Sequence, residues 1–228
     1  MIISHKHKFI FVKTRKTAGT SLEIALSKIC GKDDIITPIS EDDEQSRRSF
    51  ANISAQNFRM PMSQYTREDY AKLFFRGKPK SFYNHMTCAE IKANVPKEVW
   101  DSYYKFTIER NPFDKVVSLY YYRGADKKFA SIYDFLKNGG LKGFNSFDIY
   151  AIDGVVAVDH IYRYEDIRDL CPTLTQDLKL DSELTMPEKK AKSSTRKVKN
   201  YKDLLDEKSI ELIKLIFARE IKLFGYAY

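Results

Sequence analysis

Lys13-Thr-Arg-Lys-Thr-Ala-Gly-Thr-Ser-Leu22 follows the apolar run Phe9-Ile-Phe-Val12 and leads into a segment with apolar residues at Leu22, Ala25, Leu26 and Ile29. The short apolar run reads as a buried strand, and the helical recurrence after it reads as a helix. Between them lies a turn of lysine, hydroxyls and one glycine. At such a helix start the backbone N–H groups have no intrahelical partner, and the helix dipole adds partial positive charge. Thr17, Thr20 and Ser21 add hydroxyl donors, Lys16 adds a mobile full charge, and Gly19 lets the backbone approach an anion without a Cβ. The turn reads as an anion cradle, although the same strand-turn-helix pattern also serves many folds as a plain helix cap.

The cradle departs from the common nucleotide loop, G-x-x-x-x-G-K-[ST], in which the lysine follows the last glycine and the next hydroxyl carries magnesium. Here Lys16 precedes Gly19, and no glycine lies upstream of Gly19. That spacing counts against an ATP-dependent kinase or ATPase. A lysine ahead of the turn instead projects towards the bridging atoms of a bound phospho group, where leaving-group charge builds up.

A chain of 228 residues with 43% apolar and 31% charged residues suits one soluble globular domain, 1–228. No apolar run approaches the roughly 20 residues of a membrane span, and no hydrophobic signal core precedes the polar turn. Cys30, Cys88 and Cys171 are scattered, without a CxxC pair, so neither a disulfide framework nor a zinc site is expected. A cytoplasmic setting follows from these expectations. The net charge of +8 calls for an anionic partner. Its densest cluster, Lys189, Lys190, Lys192, Arg196, Lys197 and Lys199, reads as a solvated loop or, as a rival, a nucleic-acid patch.

The elements alternate as in an α/β fold. Strands are expected at Phe9 to Val12, Tyr103 to Ile108 and Asp159 to Tyr164, with a strand-like Ser81 to Asn84. Helices are expected over about 67–75, 132–137, 144–150 and 206–223, and after Glu165. Residues 31–80 form an excursion, aperiodic and acid-rich in its first part. Thr87-Cys-Ala-Glu90 has the form of a capping box directly after His85. In Phe106-Thr-Ile-Glu-Arg-Asn-Pro-Phe-Asp-Lys-Val-Val-Ser-Leu-Tyr120, Asn111-Pro112 ends a strand and starts a helix. Arg110 then emerges at the carboxyl edge of the sheet, with Ser118 two helical turns along. A guanidinium fork and a hydroxyl suit one phosphate. The same residues also suit an ion pair with a neighbouring acid and a small packing position.

Arg15-Lys-Thr-Ala-Gly-Thr-Ser21 paired with Arg110-Asn-Pro-Phe-Asp-Lys-Val-Val-Ser118 resembles the sulfotransferase family that uses 3′-phosphoadenosine 5′-phosphosulfate (PAPS), and within it the carbohydrate sulfotransferase branch. Tyr162-Arg-Tyr-Glu-Asp166 and Phe224-Gly-Tyr226 are similar to two further segments of that family, so the resemblance spans nearly the whole chain. It implies a single α/β domain with a central parallel sheet flanked by helices, akin to P-loop nucleotide kinases. It assigns Arg15, Lys16, Thr17, Ala18, Gly19, Thr20 and Ser21 to the 5′-phosphosulfate, and Arg110 with Ser118 to the 3′-phosphate that distinguishes PAPS from ATP. A late loop, about 181–202, would close over the cofactor through Ser194 and Arg196.

The activity implied is in-line sulfuryl transfer to a hydroxyl or amine of a carbohydrate-like acceptor, releasing adenosine 3′,5′-bisphosphate (PAP). No metal is required. Lys16 would stabilise the leaving phosphate. His85, between a strand-like segment and a capped helix, matches the position of a catalytic base, and an ordinary imidazole titrates near neutrality. It equally suits a histidine that satisfies a helix end. Glu23, one turn into the first helix, is the weaker alternative base. Acceptor contacts are expected from the aromatics Tyr65, Tyr70, Phe74, Phe75 and Tyr133. Neither a nucleic-acid partner nor a membrane span is expected. The rival functions are an ATP-using phosphotransferase and a non-catalytic nucleotide- or nucleic-acid-binding module.

Overall fold

A computed structural model describes residues 1–144, 146–187 and 200–228. Its centre is strand β2 (Phe9–Phe11), which follows β1 (Ile2–Ser4) through a tight turn; every residue of both strands is buried. Burial on both faces fits a run without polar alternation, as in the middle of a covered sheet. Phe9 and Phe11 point to one side, Ile10 and Val12 to the other, each into a separate apolar cluster.

Among the described residues, β3 (Ile35–Ile36), β4 (Tyr104–Glu109), β5 (Ala151–Ile152), β6 (Val155–Val156) and β7 (His160–Arg163) complete the strands. The main sheet runs β3-β1-β2-β4-β7, and β5 and β6 form a separate hairpin. Strands β2, β4 and β7 are parallel, with Phe11 beside Phe106 and Glu109 beside Arg163. The expected parallel sheet is therefore present as one half. The other half is antiparallel, because β1 pairs with both β2 and β3. His5 and His7 lie in the β1–β2 turn.

Helices cover both faces, as parallel strands require. One face packs on α1 (Gly19–Ser27), whose Leu22, Ala25 and Leu26 meet Phe106 and Ile108 of β4. The first part of the excursion proves more ordered than its aperiodic sequence suggests, since it contains β3 and α2 (Glu41–Ala51); α3 (Arg67–Arg76) is the helix expected there. Polar α2 was missed because its buried residues, Asp43, Glu44 and Arg47, are charged. The expected capping box is formed by Thr87 and Glu90 at α4 (Cys88–Asn94), which precedes α5 (Lys97–Ser102). Pro112 opens α6 (Pro112–Tyr122), capped by Asn111. Next come α7 (Ile132–Lys137), α8 (Phe147–Tyr150) and α9 (Leu170–Asp177). The expected C-terminal helix is two, α10 (Glu207–Ile216) and α11 (Ala218–Phe224), broken at Phe217.

The three parallel strands end at one edge of the sheet. There β2 runs into the loop 12–18, β4 into Arg110 and Asn111, and β7 into the single 3₁₀ turn Tyr164–Asp166. Open α/β sheets present their ligand sites at this edge.

Candidate functional site

The loop after β2 is bent by two residues in the left-handed region, Lys16 (φ 62°) and Ala18 (φ 59°), neither of them glycine. Such alternation turns successive N–H groups inwards to form an anion-binding concavity. Ala18 is the N-cap of α1, yet no side chain caps the helix and no acid stands in its first turn. Its leading N–H groups and positive dipole end are left to a ligand. Thr20 and Ser21 are half-buried in that first turn, and Arg15 and Lys16 are half-buried beside it. Thr17 differs from its expected outward role. It is buried, with its hydroxyl 3.0 Å from that of Thr14, which in turn bonds the carbonyl of Ile108 on β4. These two threonines brace the loop against the neighbouring strand.

Gly19 has a packing role as well. A Cβ there would lie 2.9 Å from Cγ of Lys13, whose buried chain runs under the loop to donate to Glu23 at 2.7 Å. Glu23 also accepts from the Met1 ammonium (2.9 Å) and from Arg47 (3.1 Å), all with side chains shielded from solvent. Burial alone would raise the Glu23 pKa, but Lys13, the Met1 ammonium and Arg47 overcome it and hold the carboxyl at about 2. Glu23 is thus a sealed structural anion, and the alternative reading of it as a base is corrected.

Arg110 lies where the sequence predicted, at the end of β4. It donates from Nε to Asp114 (2.8 Å), from Nη2 to the same carboxylate (2.5 Å), and from Nη1 to the carbonyl of Lys16 (3.1 Å). Its guanidinium carbon lies 4.0 Å from the centre of the Tyr164 ring. Three of five N–H donors are used, so a phosphate would meet at most the remaining two. The open bidentate fork of the sequence reading is therefore replaced by an arginine already fixed in place.

Asp114, Ser118 and Tyr122 follow one another at helical spacing on α6 and share one face. Asp114 holds Arg110, and the Tyr122 ring lies 4.1 Å under the Lys16 ammonium. Half-buried Ser118 lies between these two cation contacts along the face. The structure thus brings the Lys16 loop and Arg110 into contact, with Ser118 on the adjoining face of α6, although the two motifs lie about ninety residues apart.

His85 adopts φ 63° and is half-buried, with Nδ1 3.0 Å from the carbonyl of Lys13 at the base of the same loop. A carbonyl only accepts, so Nδ1 carries the proton and Nε2 keeps the lone pair. Burial, followed by the positive charge of Lys13 and Arg15, lowers its pKa to about 3 against the opposing pull of the Lys13 carbonyl. The imidazole is neutral at neutral pH.

Sequence reasoning missed the Glu165–Tyr226 support of this edge. Glu165 accepts the Asn111 backbone N–H at 2.8 Å and a hydrogen bond from the Tyr226 hydroxyl at 3.3 Å. Burial and neighbouring carboxylates push the Tyr226 phenol well above its usual range, so it remains a donor. Glu109, wholly buried, accepts from the Arg110 N–H (2.8 Å) and from Lys115. The segments containing Glu165 and Tyr226 were singled out in the sequence, but nothing in their spacing announced that they meet. Ser194 and Arg196, with the surrounding basic cluster, lie outside the described residues. Among the described residues no cluster of His, Cys, Asp and Glu is arranged to hold a metal ion, and no helix is long and apolar enough to cross a membrane.

No protein-family model matches the chain. A protein of Archaeoglobus fulgidus, described only as uncharacterized, is 32% identical over 120 residues, which cover 50% of this chain and 96% of that one. The chain belongs to one family with that archaeal protein. Among solved structures, a retinol dehydratase in complex with androsterone and inactive cofactor PAP aligns with a TM-score of 0.47 and 14% identity, over 99% of this chain and 84% of that chain.

Proposed function

We propose that this protein is a PAPS-dependent sulfotransferase that transfers a sulfuryl group to a hydroxyl or amine of a carbohydrate-like acceptor. The observation that carries the reading is the shared face of α6, on which Asp114 and Tyr122 hold Arg110 and Lys16 on either side of Ser118. A donor with phosphates at both its 3′ and 5′ ends needs two cationic subsites, whereas ATP needs one with a metal. The uncapped start of α1, the left-handed Lys16 and Ala18, and the absence of a first-turn acid fit the 5′ group. Arg110 and Ser118 fit the 3′-phosphate.

The donor supplies the sulfuryl group, whose bond to the bridging oxygen breaks as the acceptor oxygen or nitrogen bonds to sulfur. Lys16 and the first N–H groups of α1 stabilise the negative charge that grows on the departing phosphate oxygen. Nε2 of His85 takes the acceptor proton, its ring held by the hydrogen bond from Nδ1 to Lys13. A pKa of about 3 makes this a weak base in the free protein. Burial is the main cause of that depression; an anion in the adjacent loop would offset only the lesser contribution from the charges of Lys13 and Arg15.

The test is thermal stabilisation by PAP, by ADP with magnesium, and by single-stranded DNA. PAP alone is expected to raise the melting temperature substantially. Stabilisation by ADP with magnesium but not by PAP would instead make the protein a phosphotransferase, and a shift with DNA alone would make it a binding module.

A further inference from the structure

Helix α3 (Arg67–Arg76) is firmly specified at both ends, by a capping box between Thr66 and Asp69 and by left-handed Gly77, yet none of its residues is buried. Leu73, Tyr70, Phe74, Ala71 and Phe75 lie on one side of its helical wheel, interrupted only in the first turn by Arg67, with Lys72 and Arg76 opposite. Phe74 is 84% exposed and Phe75 80%, and Met62 and Tyr70 beside them are also exposed. A helix of 10 residues is too short to hold its shape in water without packing, so this face calls for a cover.

Charge identifies the cover. Residues 67–80 carry Arg67, Lys72, Arg76, Lys78 and Lys80 against Glu68 and Asp69, and Asp69 is already paired with Lys80 at 3.2 Å. The basic residues gather at the end that bears the two phenylalanines. A second copy of the chain is the poorer occupant: one such helix, about 15 Å long and about 10 Å across, offers on the order of 150 Å² of footprint, far below the ~800 Å² per partner of a stable interface. Phe74 and Phe75 stand perpendicular, at 89°, and form a wedge rather than parallel faces for stacking bases.

We propose that α3 docks on an anionic lipid surface, with Phe74 and Phe75 entering the boundary between headgroups and acyl chains and Lys72, Arg76 and Lys78 lying among the headgroup charges. Docking needs no transfer chemistry, so it stands or falls independently of the sulfotransferase reading.

The experiment is co-sedimentation of the full chain with vesicles of phosphatidylcholine alone and of equal parts phosphatidylcholine and phosphatidylglycerol. The wild type is expected to bind the anionic vesicles, less so at high salt, and to leave the neutral ones unbound. Phe74→Ser with Phe75→Ser is expected to reduce binding about tenfold or more at an unchanged melting temperature. Lys72→Glu with Lys78→Glu is expected to do the same. Any of four results overturns the proposal: no binding to either vesicle, equal binding to both, full binding by the double serine variant, or a dimer by light scattering that this variant loses.

Discussion

Lys16 and Arg110 are both held at rest, one over the Tyr122 ring and the other between Asp114 and Tyr164. Their prior fixation has different consequences for each. Lys16 is half-buried in a loop and contributes nothing to the apolar clusters, so Lys16→Ala is expected to leave the melting temperature unchanged. PAP release from PAPS in the presence of acceptors should fall about 100-fold or more, the scale for removal of one transition-state donor. Arg110→Ala is expected to weaken PAP binding by about 1–3 kcal/mol, roughly tenfold to a hundredfold, as read by titration calorimetry. Asp114→Asn should act in the same direction and less strongly, since it loosens the arginine without removing it. Unchanged PAP affinity in Arg110→Ala would remove the second phosphate subsite from the scheme.

The loop and α1 act as one element through Gly19. Gly19→Ala places a methyl against Lys13, whose chain cannot move aside without leaving buried Glu23. A loss of about 1–3 kcal/mol is expected in denaturant unfolding, as for overpacked cores, together with weaker PAP binding because the first turn of α1 shifts. At the neighbouring junction, Glu165→Ala is expected to free the Asn111 N–H and reduce PAP affinity without changing the global melting temperature, because Glu165 is exposed on its outer side. Much of this element was legible: the strand, the uncapped lysine turn, the helix and the Asn111–Pro112 stop all depend on neighbours in sequence. The Glu165–Tyr226 support was not, because it joins residues 61 apart and each is ordinary in its own context.

For the molecule as a whole, Glu23 and His85 are two of the groups that tie stability to pH. Glu23 titrates at about 2 in the fold against the ordinary carboxyl value of 4.5, so its contribution is present above 4.5 and is lost as pH falls towards 2. His85 titrates at about 3 against 6.5; the unfolded imidazole takes its proton first, so stability falls as pH drops from 6.5 towards 3. Calorimetric melting temperatures are expected to decline below pH 6.5 and more steeply below 4.5. His85→Gln should flatten the upper part of that decline, and a wild-type melting temperature that is flat from pH 7 to 5 would show that His85 is not held neutral by the fold. Glu23→Gln removes the buried carboxylate that Lys13 shares with Arg47, which keeps Glu44 at 2.9 Å, and is expected to cost about 3–5 kcal/mol at neutral pH.

The sequence by itself determined the β2–α1 cradle, the β4–α6 arginine turn and the distance from an ATP loop, because each rests on local periodicity, capping and residue chemistry; the parallel sheet was expected from the family resemblance alone. Only the tertiary structure decided how these parts act together. Strand pairing set β2, β4 and β7 side by side, so loops remote in sequence share one edge. Helical periodicity then aligned Asp114, Ser118 and Tyr122 beneath two cations. The fates of Glu23, Thr17 and α2 also waited on the fold, since a charged residue reads as solvated until long-range packing buries it against its partners.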